Sequence, residues 1–378
     1  MKYFLFATLM FLTINKLQFQ DSEPTITSIL DYFETIYNIP LPNDQITAYG
    51  EETYQHAILP SLLPYLFESL EITENIAPKT NHNRPGKKKP KKMICVHDTG
   101  SFLFNAEGWS RAVHDGHLPD GTLYDVSYHY VVGNDGYWHN IPDDEIAWHA
   151  GDGTQYYYEE FPTNILGSEP KPNITISEDG YFEINGKKSN ITAPRKGSEI
   201  LKSSDINDMG IRVIIHNNRY FLGRTWYSPI FKKIGNRGGN VNSIGIESCL
   251  DKGTDIFYTW MKTAKLVAYL MDEYNLNIED VVGHHFFSGK ECPQTIRRNN
   301  FWNYFKYNMV LKEFEILQFL KKGFVITFDC DDKEFVSDKG KLIKLPENDK
   351  EIQFYVIVSK DGFYEKRLFK KIIKGKNK

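Results

Sequence analysis

The sequence has no marked excess of charge of either sign: 45 lysines and arginines stand against 49 aspartates and glutamates, for a net charge of −4. A nucleic-acid partner usually requires a basic surface, so this balance gives no support for one. Beyond the first 14 residues there is also no apolar run of the roughly 20 residues that a transmembrane helix needs. The length of 378 residues predicts instead a globular chain of two or three domains.

Cysteines are few, and their surroundings do not favour a disulfide framework. The four are Cys95, Cys249, Cys292 and Cys330. Cys95 and Cys249 lie in apolar, strand-like stretches, where a cysteine usually acts as a small buried hydrophobe. We therefore expect free thiols, with a Cys95–Cys249 disulfide between neighbouring strands as the alternative.

The first residues lack both a clear small-x-small cleavage site and a lipobox-like cysteine. Met1–Ile14 nevertheless has one early lysine followed by a short apolar run, which is typical of a secretory signal. We assign residues 1–19 to a signal peptide and expect a secreted protein. An uncleaved anchor is the alternative.

The stretch Val281–Thr295 carries the densest group of chemically active side chains. Seven residues, including Lys290, separate His284 from Cys292. The two lie on either side of a turn. Neutral imidazole and thiolate are preferred zinc donors, so this stretch predicts two ligands of one metal. The alternative is a structural histidine and cysteine buried near a turn.

A catalytic zinc usually has three protein ligands, so a third donor is expected elsewhere. His97 follows the apolar run Met93–Val96, which predicts a short buried strand ending at a site. Glu247 lies inside another apolar strand, where an isolated buried carboxylate is costly. A surface-facing position is the alternative for Glu247.

Six motifs occur in a fixed order and together resemble one known family. They are His97–Gly100 (HDTG), Tyr128–Tyr130 (YHY), Ala147–Gly153 (AWHAGDG), Gly235–Arg237 (GNR), Ser243–Glu247 (SIGIE) and His284–Pro293 (HHFFSGKECP). The chain resembles the zinc-dependent N-acetylmuramoyl-L-alanine amidases of the type-2 amidase and peptidoglycan-recognition superfamily, in particular Bacillus-type endolysin amidases. The resemblance covers roughly residues 90–310.

The resemblance implies a set of roles for the matching residues. It implies that Zn²⁺ is held by His97, His284 and Cys292, with His284 rather than His285 chosen by the family spacing to the cysteine. Glu247 and Lys290 are then expected to be catalytic, as proton carrier and oxyanion stabiliser.

The remaining expectations from the resemblance concern the substrate. Tyr128 and His149 are expected to bind it, although His129, His139 and His149, each taken alone, are more typical of core or cleft-wall histidines. The substrate implied is peptidoglycan, cleaved between N-acetylmuramic acid and L-alanine. We expect a cell-wall-associated monomer, with contact to wall polymers through the basic run Lys87–Lys92 as an alternative to a solvated linker.

The expected fold is α/β: a mixed central β-sheet flanked by helices, with an inserted β-rich segment and a small C-terminal all-β module. The predicted domains are an N-terminal helical region and basic linker (residues 20–92), a zinc amidase domain (93–315, insertion 154–234) and an immunoglobulin-like module (316–378). The aromatic insertion is either a wall for a glycan or peptide, or a decoration that covers a sheet edge.

Two other functions are alternatives to the amidase. A non-catalytic peptidoglycan-recognition protein resembles this chain in fold, but such relatives lose zinc ligands, notably the cysteine. A zinc peptidase that cleaves the stem peptide, or another amide, cannot be separated from the amidase by sequence.

Overall fold

The computed structural model describes residues 23–42, 65, 67–151, 156–193, 195–196, 199–200, 202–203, 211–216, 218–227, 238–288, 290–373 and 375. The chain divides into two compact units, Pro40–Phe314 and the pair of segments Met1–Ile39 and Glu315–Lys378. The predicted signal segment, the helix-like stretch Tyr54–Leu70 for the most part and the motif Gly235–Arg237 lie outside the described residues.

The larger unit is built on a six-stranded sheet of strand order β1-β4-β3-β13-β2-β14. These strands are β1 (Ile72–Glu74), β2 (Met93–Asp98), β3 (Tyr130–Gly133), β4 (Gly136–His139), β13 (Ser243–Ser248) and β14 (Val281–Gly283). β3, β13, β2 and β14 run parallel, whereas β4 runs antiparallel to β3. The predicted mixed sheet is confirmed.

Polar side chains cap two of the helices of this unit. Their bounds are α2 (Ala106–Asp115), α3 (Gly239–Asn242), α4 (Ile256–Glu273), α5 (His285–Ser288), α6 (Gln294–Arg298) and α7 (Trp302–Tyr304), with a 3₁₀ turn at Ile278–Asp280 and a π-helix at Phe305–Val310. α2 begins where the Asn105 side chain accepts the Gly108 amide, and ends at Gly116 in the left-handed region. Asp255 caps α4 in the same way, through the Tyr258 amide.

The two longest of these helices cover opposite faces of the sheet. Trp109 of α2 packs in one cluster with Val131 of β3. On β13, Ser248 makes a hydroxyl–hydroxyl hydrogen bond with Thr263 of α4. Ser248 pairs in register with Val132, the neighbour of Val131, so it lies on the other face. The expected helix layers on both sides are therefore present.

The insertion is ordered and β-rich where it is described, as predicted. Its strands are β5 (Tyr156–Leu166), β6 (Ile174–Ile176), β7 (Tyr181–Ile184), β8 (Lys187–Thr192), β9 (Arg195–Lys196), β10 (Glu199–Ile200), β11 (Arg212–His216) and β12 (Arg219–Tyr227). They form the sheets β11-β12-β5 and β6-β7-β8 and the pair β10-β9. A small apolar cluster of Phe182, Ala193, Ile211 and Leu222 joins them.

The smaller unit holds the C-terminal all-β sheet, which confirms that prediction. β15 (Val325–Cys330), β16 (Lys350–Lys360) and β17 (Phe363–Ile373) pair antiparallel. Helix α1 (Ile26–Tyr37) packs on it, with the Tyr37 ring edge-on to Phe354 and Phe369. Helix α8 spans Leu311–Lys321. The immunoglobulin-like nature of the module and the domain bounds stay predictions, although residues 26–37 belong to the same unit as the C-terminal strands.

No helix in the described ranges combines the length and the apolar character that crossing a membrane requires.

Candidate metal centre

Two parallel core strands bring the first site residues together. β2 and β13 pair so that Cys95 lies beside Gly245 and His97 beside Glu247. Because alternate residues of a strand point to the same face, these four positions share one face. The imidazole of His97 and the carboxylate of Glu247 thus lie side by side near the carboxyl ends of both strands.

The strand on the other side of β2 delivers the second histidine. β14 pairs with β2 and ends at Gly283, and His284 follows directly. The chain then makes the short helix α5 and returns, with the His285 N–H donating to the Cys292 carbonyl at 3.1 Å. Cys292 is thereby placed against the end of β14.

A buried carboxylate ties the returning segment to β2. The Thr295 N–H donates to Asp98 Oδ2 at 2.6 Å. Asp98 is the residue after His97, and Thr295 comes three residues after Cys292. This hydrogen bond therefore links the two chain segments that carry the site residues, at the start of helix α6.

His97, His284 and Cys292 converge as a group that could hold a metal ion, with one ligand atom of each lying within 4.8 Å of the others. Cys292 Sγ is 3.5 Å from His97 Nδ1, and the rings of His97 and His284 are 4.9 Å apart. All three residues are buried, at 2, 8 and 5% exposure. His285, the alternative, instead turns its ring edge towards Trp302 at 5.7 Å.

Burial sets the protonation of these side chains. It lowers the pKa of the His97 and His284 rings well below the usual value, and neighbouring charges add to this. Neutral imidazole is the form that binds metals. Burial also raises the pKa of the Cys292 thiol well above its usual range, and Asp98 adds to this. A metal ion reverses that preference, because a coordinating thiol is deprotonated outright.

Glu247 is a buried carboxylate, and one of its two oxygens has no hydrogen-bond partner among the described residues. Its Oε1 lies 3.8 Å from His97 Nδ1, whereas Oε2 is buried without a hydrogen-bond partner. Burial, with a contribution from Asp98, raises the pKa of this carboxyl well above its usual range. The surface-facing alternative for Glu247 is wrong, since only 8% of the residue is exposed. Glu247 therefore has one buried oxygen that could accept a hydrogen bond or a proton.

Lys290 is exposed, yet its charge acts on the group. It lowers the pKa values of both His97 and His284, and it opposes the rise in the pKa of Glu247. The chain places the only residue between it and Cys292, Glu291, in a hydrogen-bonded pair with Arg297. The Lys290 charge is therefore close enough to the buried donors to act on their pKa values.

Tyr128 is buried in the core of the larger unit. Only 1% of the residue is exposed, and its hydroxyl donates to the Trp109 carbonyl at 3.1 Å. The ring belongs to the apolar cluster beneath α2. Its predicted substrate contact therefore stays a prediction that this placement does not support.

His149 lies on the Nε2 side of the His97 ring and is also buried, with 8% exposure. Its Nδ1 is 2.9 Å from His97 Nε2, and burial lowers its pKa to about 3. The predicted substrate contact stays untested, while the contact that the structure shows is with another site histidine. His129 has a structural place: its Nδ1 accepts the Gly245 N–H, and its Nε2 lies 2.9 Å from the Glu145 carbonyl.

Sequence reasoning missed two residues of the site. Cys95 was interpreted only as a buried hydrophobe, but its Sγ lies 3.2 Å from His97 Nε2. Its position two residues before His97 on one strand was the available signal, because such residues share a face. Asp98 lies within the HDTG motif, but no local sequence pattern indicates its hydrogen bond to the Thr295 amide. All four cysteines are free thiols.

Taken together, the fold and the site define an α/β protein with a buried His–His–Cys group and a glutamate at the carboxyl edge of a mixed sheet. A profile of the N-acetylmuramoyl-L-alanine amidase family matches residues 87–295, which is more than half of the chain. This chain belongs to that family.

Individual relatives are distant. The N-acetylmuramoyl-L-alanine amidases XlyA and CwlH of Bacillus subtilis (strain 168) are each 23% identical to it, over 268 and 234 residues, or 68% and 62% of this chain. The matches span only 60% and 59% of those relatives. The solved catalytic domain of XlyA is 21% identical and matches over 64% of this chain and 99% of the domain, with a TM-score of 0.37.

Proposed function

We propose that this protein hydrolyses the amide bond between N-acetylmuramic acid and L-alanine in peptidoglycan, with zinc held by His97, His284 and Cys292. The observation that carries the proposal is the convergence of these three buried donors beside Glu247. Membership of the amidase family supports the reaction class. Because the relatives are matched over only part of their length, the activity and the substrate of the whole protein are part of the proposal.

The donors present fit zinc. Two neutral imidazoles and one thiol match the nitrogen and sulfur ligands that zinc prefers, and three protein ligands leave one position open, as in catalytic sites. The unpartnered Glu247 Oε2 beside them is the kind of orphaned buried atom that a bound group would satisfy. Zinc held there supplies Lewis-acid polarisation and lowers the pKa of water towards neutrality.

Glu247 is the proton carrier in this proposal. Its Oε2 has no competing hydrogen bond among the described residues, so a proton taken from water can rest on that atom. The same atom can then return the proton to the leaving amine of L-alanine. The register of β13 with β2 keeps the carboxylate next to the ligand group, with Oε1 3.8 Å from His97 Nδ1.

Lys290 is the electrostatic partner of the developing oxyanion. Lys290 is exposed, and its charge shifts the pKa values of His97 and His284. A fixed cation there stabilises negative charge on the scissile carbonyl oxygen as the amide is attacked.

The location and the assembly state follow from the same proposal. We propose that residues 1–19 direct secretion of the enzyme and that it acts at the cell wall. We propose that it acts as a monomer, because every donor of the site comes from one chain.

The test is mass spectrometry of purified peptidoglycan after digestion by the full chain. The expected products are intact glycan strands and stem peptides with a free L-alanine amino terminus. Cleavage inside the stem peptide would identify a zinc peptidase, and binding without any released product would identify a recognition protein. Either result overturns the proposal. Glu247→Gln is the matched control, because it should bind the same material and release almost nothing.

A further inference from the structure

The two ring nitrogens of His97 face two different groups. Nδ1 lies 3.5 Å from Cys292 Sγ and 3.8 Å from Glu247 Oε1. Nε2 points the other way, to His149 Nδ1 at 2.9 Å and Cys95 Sγ at 3.2 Å. Only Nδ1 is therefore placed to bind a metal together with Cys292.

The position of the proton on His97 follows from this arrangement. A neutral imidazole has one protonated nitrogen and one lone pair, so a lone pair on Nδ1 requires the proton on Nε2. That N–H then needs an acceptor in a buried place. His149 Nδ1 is the nearer atom and the stronger acceptor, because a thiol sulfur accepts hydrogen bonds only weakly.

The same atoms also form a second group with metal-ligand chemistry, made of Cys95, His97 and His149. Two nitrogens bound to one tetrahedral zinc at ~2.05 Å would lie ~3.3 Å apart. The observed 2.9 Å between His97 Nε2 and His149 Nδ1 is shorter and falls in the hydrogen-bond range. A hydrogen bond explains this pair better than a second metal does.

Two contacts position His149, one on its backbone and one on its ring. Its backbone N–H and that of Ala150 donate to Asn240 Oδ1, at 2.8 and 2.6 Å. The ring lies flat against Gly245, where an added Cβ would come within 2.5 Å of His149 Cγ. Glycine at position 245 is thus what allows the ring to reach His97 across strand β13.

We propose that His149 is a positioning residue: its Nδ1 accepts the His97 Nε2–H, fixes the tautomer and directs the Nδ1 lone pair of His97 towards Cys292 and His284. The inference rests on the proposed zinc binding at His97. It replaces a direct substrate contact of His149 with a role exerted through His97. Partners of this kind typically contribute 10- to 100-fold to metal affinity.

The test compares His149→Asn with His149→Gln in the full chain, by zinc affinity measured in competition with a chromogenic chelator. The amide of asparagine reaches the place of Nδ1, whereas that of glutamine reaches the place of Nε2. We expect His149→Gln to weaken zinc binding about 10- to 100-fold and His149→Asn to retain most of the affinity. Cys95→Ala is the control for the weaker neighbour and should change the affinity less than about threefold, since a thiol is a weak acceptor.

Each other outcome has a defined meaning. Wild-type affinity in His149→Gln overturns the inference, and so does an equal loss in both variants, which would indicate packing alone. A wild-type protein that binds no zinc contradicts the proposed function instead.

Where the variants do not fold, nitrogen-15 NMR of histidines in the zinc-loaded wild type decides. We expect a protonated Nε2 on His97 and an unprotonated Nδ1 on His149. A protonated His149 Nδ1 would overturn the inference.

Discussion

Strands β2 and β13 of the central sheet differ sharply from strand β8 of the insertion. Every residue from Ile94 to Asp98 is buried, and so is every residue of β13. Along β8, exposed positions alternate with half-buried ones. Yet the buried strands are the ones that carry His97, Asp98 and Glu247, although burying such groups is costly.

This difference shows that β2 and β13 keep polar residues although their burial costs stability. On β8 of the insertion, Lys187 and Lys188 are exposed, so solvent hydrates their charges. On β2 and β13, Asp98 is paired with the Thr295 amide, and His97 and Glu247 adjoin the candidate metal site. Substitutions in the two regions should therefore have effects of very different size.

The largest expected effect is at Glu247. Glu247→Gln keeps the shape and removes the proton-accepting carboxylate, so we expect turnover of peptidoglycan to fall by 10²–10⁴-fold, the usual contribution of a general base. Zinc content should stay at the wild-type level. A rate within about threefold of wild type would mean that another group carries the proton.

A buried ion pair provides the next contrast. Arg84 donates from Nε and Nη2 to both carboxylate oxygens of Glu145, at 2.8 and 2.7 Å, with 6% of each side chain exposed. Arg84→Met leaves a buried carboxylate without its partner, and we expect a loss of about 3–5 kcal/mol in the free energy of unfolding, measured with urea. The double variant Arg84→Met/Glu145→Leu should recover much of this. A double variant as unstable as the single one would contradict the explanation.

The same pair predicts a pH dependence. The hydrogen bond from Arg84 holds the pKa of Glu145 below its usual range. The unfolded carboxyl titrates near ~4.3, so the stabilisation is complete above that pH and is lost as the pH falls through the folded pKa. The difference in unfolding free energy between wild type and Glu145→Gln should therefore shrink between pH 6 and pH 3. A difference independent of pH would contradict the contribution of the Glu145 carboxylate to stability.

The smallest effect is expected in the insertion. Lys188 and Asp179 form an ion pair with side chains 49% and 56% exposed, and Lys188 also lies over the Tyr181 ring. Exposed pairs often contribute nothing measurable. We expect Lys188→Met to leave the urea midpoint within error of wild type. A shift comparable to that of Arg84→Met would contradict the expected difference in stability effect between buried and exposed ion pairs.

Local patterns were enough to predict much of the central unit. The apolar run Met93–Val96 predicted β2. The spacing from His284 to Cys292 predicted the ligands that converge with His97. In each case the evidence lies within a few residues of sequence, where periodicity and turn chemistry act.

What escaped prediction depends on contacts between distant segments. Tyr128 was expected in the cleft, but alternation along a strand gives the face of a residue and not its depth. His149 meets His97 only because Gly245, almost a hundred residues further on, leaves room for its ring. Helix α1 packs beside Phe354 and Phe369, more than 300 residues away, and no local pattern records that contact.

X-ray absorption at the zinc edge tests the central assignment most directly. The full chain loaded with one equivalent of zinc should show one sulfur at about 2.3 Å and nitrogen donors at about 2.0–2.1 Å. The sulfur shell should vanish in Cys292→Ala and persist in Cys95→Ala. A wild-type spectrum without sulfur, or a sulfur shell that survives in Cys292→Ala, would contradict zinc binding by His97, His284 and Cys292.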